Sequence, residues 1–278
     1  MIKYQKTKTL ITKDNNNSAN CIAPNLIYGC FGGCVNSYCY MSRYNDKVYV
    51  NTNINEIFES VCQWVADKIY PKPVDQQSSD GYYYVDISCN TDLVLMQKHL
   101  PESLHDYLKR YDNHPRLNST MATKYPSLLN LNVKHFNKKP RIRVSLMPQV
   151  YSDILEPKMQ KISSRIKDIN KLKDLGWEVH CNYSPIIFYS GWENHYDLLF
   201  KEVLEYAGEN KCEIIALTNH VNQMKKASEE AKKLMKDSCE IKHKNIMRYP
   251  LITKQKNLNE LVKIYNKYFS QETIRYIF

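Results

Sequence analysis

Cys30, Cys34 and Cys39 stand at a C-x3-C-x4-C spacing inside Gly29-Cys30-Phe31-Gly32-Gly33-Cys34-Val35-Asn36-Ser37-Tyr38-Cys39-Tyr40. Thiols this close, on a backbone loosened by two adjacent glycines, can turn toward one point and bind one soft metal centre. The number three is informative. A structural zinc site usually recruits a fourth Cys or His at a second paired spacing, whereas three thiolates leave one position of a metal centre open. On an iron–sulfur cluster, that open iron can hold a small cofactor. A zinc knuckle, or three unrelated cysteines, are the readings that spacing alone leaves open. His180, Cys181 and His195 are rival ligands by residue type, but they fall on an expected strand and helix without paired spacing and read as packing residues.

Composition limits what such a loop can belong to. With 278 residues and 43% hydrophobic content, the chain can bury a full core as one large domain. The nine cysteines are an odd count, and most are isolated. No stretch reads as a signal peptide, and no apolar run approaches a membrane span. Reduced thiols in a cytoplasm are therefore expected, where clustered cysteines mean metal or catalysis more often than disulfides. The formal charge of +10 suits an anionic partner such as nucleic acid, although the excess of Lys, Asn, Ile and Tyr is also the composition that an AT-rich genome produces.

The elements that position these residues follow from periodicity. Residues 1–20 are polar and show no sustained period, so an extended or partly disordered arm is expected, with 9–12 as a possible strand. A short apolar segment from Leu26 leads into the cysteine loop. Residues 53–70 place Ile54, Ile57, Phe58, Val61, Val65 and Ile69 at helical spacing. Residues 82–88 form a β-rich run ending at Cys89, and 93–111 read as helix with Pro101 near a start or break. Strands are then expected at 119–123, 142–147, 177–183 and 214–218, and helices at 126–135, 163–175, 193–206 and 221–236.

Strand, helix, strand, helix through most of the chain predicts an α/β fold with a parallel sheet and outer helices. About six such units fit, fewer than the eight of a closed barrel. The expected architecture is a partial (βα)6-type parallel barrel. Sites in such folds gather at the carboxyl ends of the strands. The cysteine loop, Cys89, Lys124, Ser145 and Ser184 all fall at or after expected strand ends, which predicts that all five face one cavity.

Cys30-x3-Cys34 followed by Tyr38-Cys39-Tyr40 resembles the cluster loop of radical S-adenosylmethionine enzymes, and the Tyr-Cys-Tyr ending resembles the spore photoproduct lyases in particular. Val48-Tyr49-Val50-Asn51, Ser88-Cys89-Asn90-Thr91-Asp92 and Thr123-Lys124-Tyr125 are similar to further segments of that family. So are Arg141-Ile142-Arg143-Val144-Ser145, Glu156-Pro157 with the Arg165 helix, Ser184-Pro185-Ile186, Gly191-Trp192-Glu193 and Arg248-Tyr249. The resemblance runs in order over roughly residues 21–270. One interval departs from it: the family pattern is C-x3-C-x2-C, whereas four residues separate Cys34 from Cys39 here.

The resemblance implies a radical S-adenosylmethionine barrel with a specific mechanism. Cys30, Cys34 and Cys39 would ligate a [4Fe–4S] cluster whose open iron chelates S-adenosyl-L-methionine. One electron would cleave the cofactor to methionine and a 5′-deoxyadenosyl radical, which takes hydrogen from the methylene bridge of a thymine dimer, the spore photoproduct. Cys89 would return a hydrogen atom to the thymine radical and be reset through Tyr40 and Tyr38. Lys124 would pair with the cofactor carboxylate and Ser145 would hydrogen-bond the cofactor. Arg248 and Tyr249 would reach the lesion on a C-terminal element, Arg248 through a phosphate.

The implied partners are DNA carrying a thymine lesion and a flavodoxin- or ferredoxin-like one-electron reductant, with the enzyme a monomer and no membrane involved. The expected organisation is an arm at 1–20, the barrel at 21–240 and a substrate-contacting segment with a helix at 241–278. Two alternatives remain at this point. One is a radical enzyme of the same scaffold acting on another nucleic acid base or a small molecule, supported by the altered loop. The other is a nonenzymatic zinc-binding nucleic-acid protein.

Overall fold

The structure is a computed structural model and describes residues 1–15, 17–32, 34, 47–69, 81–237, 240–242 and 245–278. In chain order its strands are β1 (Ile2–Gln5), β2 (Lys13–Asp14), β3 (Cys21–Ile22), β4 (Ile27–Tyr28), β5 (Val48–Asn51), β6 (Tyr83–Asp86), β7 (Leu117–Thr123), β8 (Arg141–Leu146), β9 (Glu178–Ile186), β10 (Cys212–Ala216), β11 (Thr218–His220), β12 (Glu240–Lys242), β13 (Ile246–Arg248) and β14 (Ile274–Ile277). The helices are α1 (Ile54–Ala66), α2 (Leu93–Met96), α3 (Leu104–Asn113), α4 (Gln149–Leu155), α5 (Ile162–Asp174), α6 (Trp192–Ala207), α7 (Val221–Lys226), α8 (Glu229–Met235) and α9 (Leu251–Tyr265). None of these helices is long and apolar enough to cross a membrane.

The main sheet runs β14-β10-β9-β8-β7-β6-β3-β2. Every neighbouring pair from β3 round to β14 is parallel, and only β2 against β3 is antiparallel. Parallel neighbours need a crossover, which the helices between them supply. The partial parallel barrel expected from the alternation is therefore present.

Alternation along the strands decides what each face holds. On β8, Ile142, Val144 and Leu146 are fully buried in the hydrophobic core, while Arg141, Arg143 and Ser145 take the other face. Arg143 reaches Asp86 on β6 and Glu213 on β10, each two strands away. A flat sheet would not allow both contacts, so the sheet curls around its polar face. Outside it, α5 buries Ile162, Ile166, Ile169 and Leu172, and α6 buries Trp192, Tyr196, Leu199, Phe200 and Val203, both at helical spacing.

Several expectations are corrected by tertiary pairing. The N-terminal arm is ordered, because β1 pairs with β5 and β2 with β3. Residues 9–12 form no strand; Leu10 instead offers its carbonyl to Ser60 Oγ at 2.7 Å. The apolar segment at Leu26 contributes β4 to a separate three-stranded sheet, β1-β5-β4, and β3 is the first strand of the barrel. Helix α1 stops at Ala66 and leaves Ile69 83% exposed. The helix expected at 126–135 is a single 3-10 turn, Pro126–Leu128, because Leu129, Val133 and Phe136 are buried at loop positions. The helix expected at 221–236 divides into α7 and α8, with Ser228 capping the second through Ala231 N.

The C-terminal segment 241–278 does not stand apart. Within it β13 pairs with β11 and β12, and β14 pairs parallel with β10 as a further barrel strand. No local pattern announces β14, since four residues without a following crossover look like any short β-rich tail.

Candidate active site

The cysteine loop is fastened to the turn that carries Cys89. Gly29 donates its N–H to Asn90 O at 3.1 Å, and Thr91 Oγ1 donates to Gly29 O at 2.7 Å. Gly29 has φ +86°, and a Cβ there would collide with the Lys47 carbonyl, so this position requires glycine. Beyond it, Gly32 donates its N–H to Cys30 Sγ at 3.2 Å. A Cβ at Gly32 would lie 3.1 Å from that sulfur and 2.6 Å from Met159 Cε. The loop thus packs its backbone against its own first thiol.

Asp92 anchors the opposite wall. Its half-buried carboxylate caps α2 through Leu95 N at 3.2 Å and accepts from Thr123 Oγ1 at 2.9 Å and Lys124 N at 2.8 Å. Burial raises its pKa, against the pull of these donors. One side chain thereby fixes the Cys89 turn to the carboxyl end of β7. Lys124 leaves that point with its Nζ 3.1 Å from Glu156 Oε1 and 3.9 Å from Cys34 Sγ. Glu156 Oε2 in turn receives Arg165 NH2 at 2.8 Å. Arg165 also donates to Ser145 O at 2.9 Å and Gln160 O at 2.7 Å.

Beneath lies a charged floor. Arg143 donates to Asp86 Oδ2 at 2.8 Å and Thr120 Oγ1 at 3.1 Å, and its NH1 is 3.5 Å from Glu213 Oε2. Burial opposes its charge, but Asp86 and Glu213 together hold its pKa above the usual arginine value. Asp86 also accepts Ser88 N at 2.9 Å, and Ser88 Oγ accepts Ala122 N at 3.1 Å. Above the floor, burial and the nearby thiols of Cys34 and Cys30 push the Tyr125 phenol up to about 12. It therefore stays a neutral donor, on Lys158 O at 3.0 Å.

These walls enclose a cavity of about 300 Å³. Of the residues singled out from sequence, Cys30, Cys34, Cys89, Lys124 and Ser145 line it together. Ser184 does not: β9 continues through Ile186, which leaves that position inside the strand and short of its carboxyl end. Cys39, Tyr38 and Tyr40 lie outside the described residues. The rival ligands are placed elsewhere: His180 Nε2 is 2.9 Å from Glu178, His195 Nδ1 is 3.0 Å from the Tyr151 hydroxyl, and Cys181 is buried in the core.

Arg248 sits on β13 in register with Thr218 and Glu240. Tyr249 is 1% exposed, its hydroxyl accepting Phe188 N at 3.0 Å and its ring 5.1 Å from that of Phe188. Sequence reasoning gave no role to Asp92, Arg143, Glu156 or Arg165. Asp92 had a readable signal, an acidic residue directly before an apolar helical run. Arg143, Glu156 and Arg165 fall in segments marked by the resemblance, but their partners depend on strand register and on how α4 and α5 pack, which no local pattern shows.

The donor chemistry suits an iron–sulfur cluster. The loop thiols of Cys30 and Cys34 open on one cavity, Gly32 brings the backbone N–H against Cys30 Sγ, and an ammonium 3.9 Å from Cys34 Sγ offsets thiolate charge. The family profile described as spore photoproduct lyase matches residues 4–277. A curated spore photoproduct lyase from Geobacillus sp. (strain Y412MC61) is 25% identical over 181 residues, covering 64% of this chain and 49% of that protein. The chain thus spans about half the length of the curated relative it matches. A solved spore photoproduct lyase variant with bound AdoMet and dinucleoside spore photoproduct superposes with a TM-score of 0.78 at 16% identity, over 100% of this chain and 82% of that one. A spore photoproduct lyase complexed with dinucleoside spore photoproduct gives 0.77 at 17% identity, over 100% and 82%. On the profile match across nearly its whole length, the chain belongs to the spore photoproduct lyase family.

Proposed function

We propose that this protein is a radical S-adenosylmethionine lyase that reverts the spore photoproduct in DNA to two thymines. The observation that carries the reading is that Cys89 shares one cavity with Cys30, Cys34, Lys124 and Ser145. A [4Fe–4S] cluster on Cys30, Cys34 and Cys39, with S-adenosyl-L-methionine, supplies one-electron cleavage of the cofactor and the carbon radical that takes hydrogen from the lesion.

The chain's own residues provide the rest. Lys124 presents a positive charge to the cofactor carboxylate, and Ser145 offers its hydroxyl from the end of β8. Cys89 lies exposed at the cavity wall, where a weak S–H bond can give a hydrogen atom to a substrate radical without a general base. Tyr40 and Tyr38 are assigned the reset of Cys89 on family resemblance. Arg248 contributes a phosphate contact, and Tyr249, closed against Phe188, fixes the base of the hairpin that carries it. Residues 221–256 hold ten lysines and arginines against four carboxylates, which supports a polyanionic partner on this side. The electron donor is taken to be flavodoxin- or ferredoxin-like, and the enzyme a cytoplasmic monomer.

The test is chromatography of products from reduced, anaerobically reconstituted protein incubated with S-adenosylmethionine and spore-photoproduct dinucleotide. Recovery of paired thymines is the expected result. Formation of 5′-deoxyadenosine with the lesion intact would refute the substrate while leaving the cofactor assignment.

A further inference from the structure

We propose that Glu156 and Arg165 form one buried positioning unit that sets Lys124 and Ser145 relative to each other. The proposal rests on the reading of those two residues as S-adenosylmethionine contacts. Lys124 and Ser145 project from the ends of adjacent strands, paired through Thr123 and Val144. Neither strand end fixes a side chain by itself. A long lysine at a strand end has many rotamers, and ordering it costs conformational freedom.

The corner between α4 and α5 supplies what the strands lack. Glu156 uses both carboxylate oxygens on different cations, Oε1 on Lys124 at 3.1 Å and Oε2 on Arg165 at 2.8 Å. Arg165 carries the link onward to the main-chain oxygen of Ser145 at 2.9 Å. The Arg165 and Glu156 side chains are both 0% exposed. Lys124 is held at its other end too, its N–H on Asp92 at 2.8 Å.

Burying such charges is a poor way to gain stability, since apolar residues of similar volume do as well or better. What charged groups add is directionality. A carboxylate with both oxygens engaged and a guanidinium fork leave little freedom of angle. Lys124, the member whose side chain keeps 18% exposure, lines the cavity with its ammonium between Glu156 and Cys34 Sγ, so the unit sets where that ammonium stands against a cofactor carboxylate.

The experiment measures S-adenosylmethionine affinity by equilibrium dialysis on cluster-loaded protein without reductant, so that binding is read without turnover. E156Q keeps the volume but loses the charge and one of the two acceptor oxygens, so that only one of the two cations can still be held. Affinity should fall about tenfold, the worth of one charge-assisted hydrogen bond. In a K124M background the same change should cost clearly less, because one of the two groups through which Glu156 acts is gone and only the Arg165–Ser145 link remains. Iron content should be unchanged in all variants. A role in packing alone would lower affinity equally in both backgrounds, and that result overturns the proposal, as does wild-type affinity in E156Q. Arg165→Lys keeps the charge and loses the fork to Ser145 O and Gln160 O. It serves if E156Q does not fold: binding should weaken, and by less in an S145A background, where the hydroxyl it positions is gone, whereas an equal loss in both or wild-type binding overturns the proposal. Wild-type protein that binds no S-adenosylmethionine would instead overturn the site reading, and the positioning role with it.

Discussion

Replacing Arg143 by Met should destabilise the cluster-free protein by about 3–5 kcal/mol at pH 7.5, the range for removing one partner of a buried ion pair. The side chains involved are nearly inaccessible: Arg143 is 5% exposed and Glu213 2%. Asp86 would keep its bond from Ser88 N at 2.9 Å. Glu213 Oε2 has no hydrogen-bond partner among the described residues and depends on the 3.5 Å ion pair. Burial already raises the Glu213 pKa, against the pull of Arg143 and Arg141. Without Arg143 it rises further.

A carboxyl whose folded pKa exceeds its unfolded value adds stability at low pH, and that stability is lost as pH rises through the folded value. Each pH unit in that window is worth up to about 1.4 kcal/mol for one proton. The deficit of R143M should therefore shrink by at least about 1 kcal/mol between pH 7.5 and pH 5.0. Urea unfolding followed by circular dichroism at the two pH values measures both quantities. A deficit below about 1 kcal/mol, or one equal at both pH values, would refute the reasoning, because Arg143 would then not be what compensates Glu213.

The remaining predictions concern the loop, the thiols and the basic face. Gly29→Ala forces a side chain into φ +86° and against the Lys47 carbonyl, so a loss of about 2 kcal/mol or more and reduced iron uptake are expected in thermal unfolding and iron assays. Cys34→Ala should abolish the brown colour of reconstituted protein; unchanged cluster content would remove Cys34 from the ligand set. Cys89→Ala should still cleave S-adenosylmethionine but misdirect the products, and a normal yield of paired thymines would end its role as hydrogen donor. Lys233→Gln with Lys236→Gln should reduce the slope of log affinity for DNA against log salt by about 2, whereas an unchanged slope would place the phosphate contacts elsewhere.

Sequence alone determined the features set by near neighbours. The helices α1, α5 and α6 were legible because apolar residues recur within one or two turns, and β7 to β10 because short β-rich runs alternate with those helices. The fold class followed from that order, and the grouping of Cys30, Cys34, Cys89, Lys124 and Ser145 followed from where parallel strands end. Tertiary structure decided whatever depends on strand register or on pairing distant in the chain. The polar N-terminal arm gains strands only because β5 and β3 offer partners. β14 joins the barrel beside β10, although the two are far apart in sequence. Glu156 reaches Lys124 and Arg165 reaches Ser145 because α4 and α5 pack across the ends of β7 and β8. Arg143 finds Asp86 and Glu213 only once the sheet curls. A charged residue in a strand states its valence but not its partner, and which opposite charge it meets is fixed by packing alone.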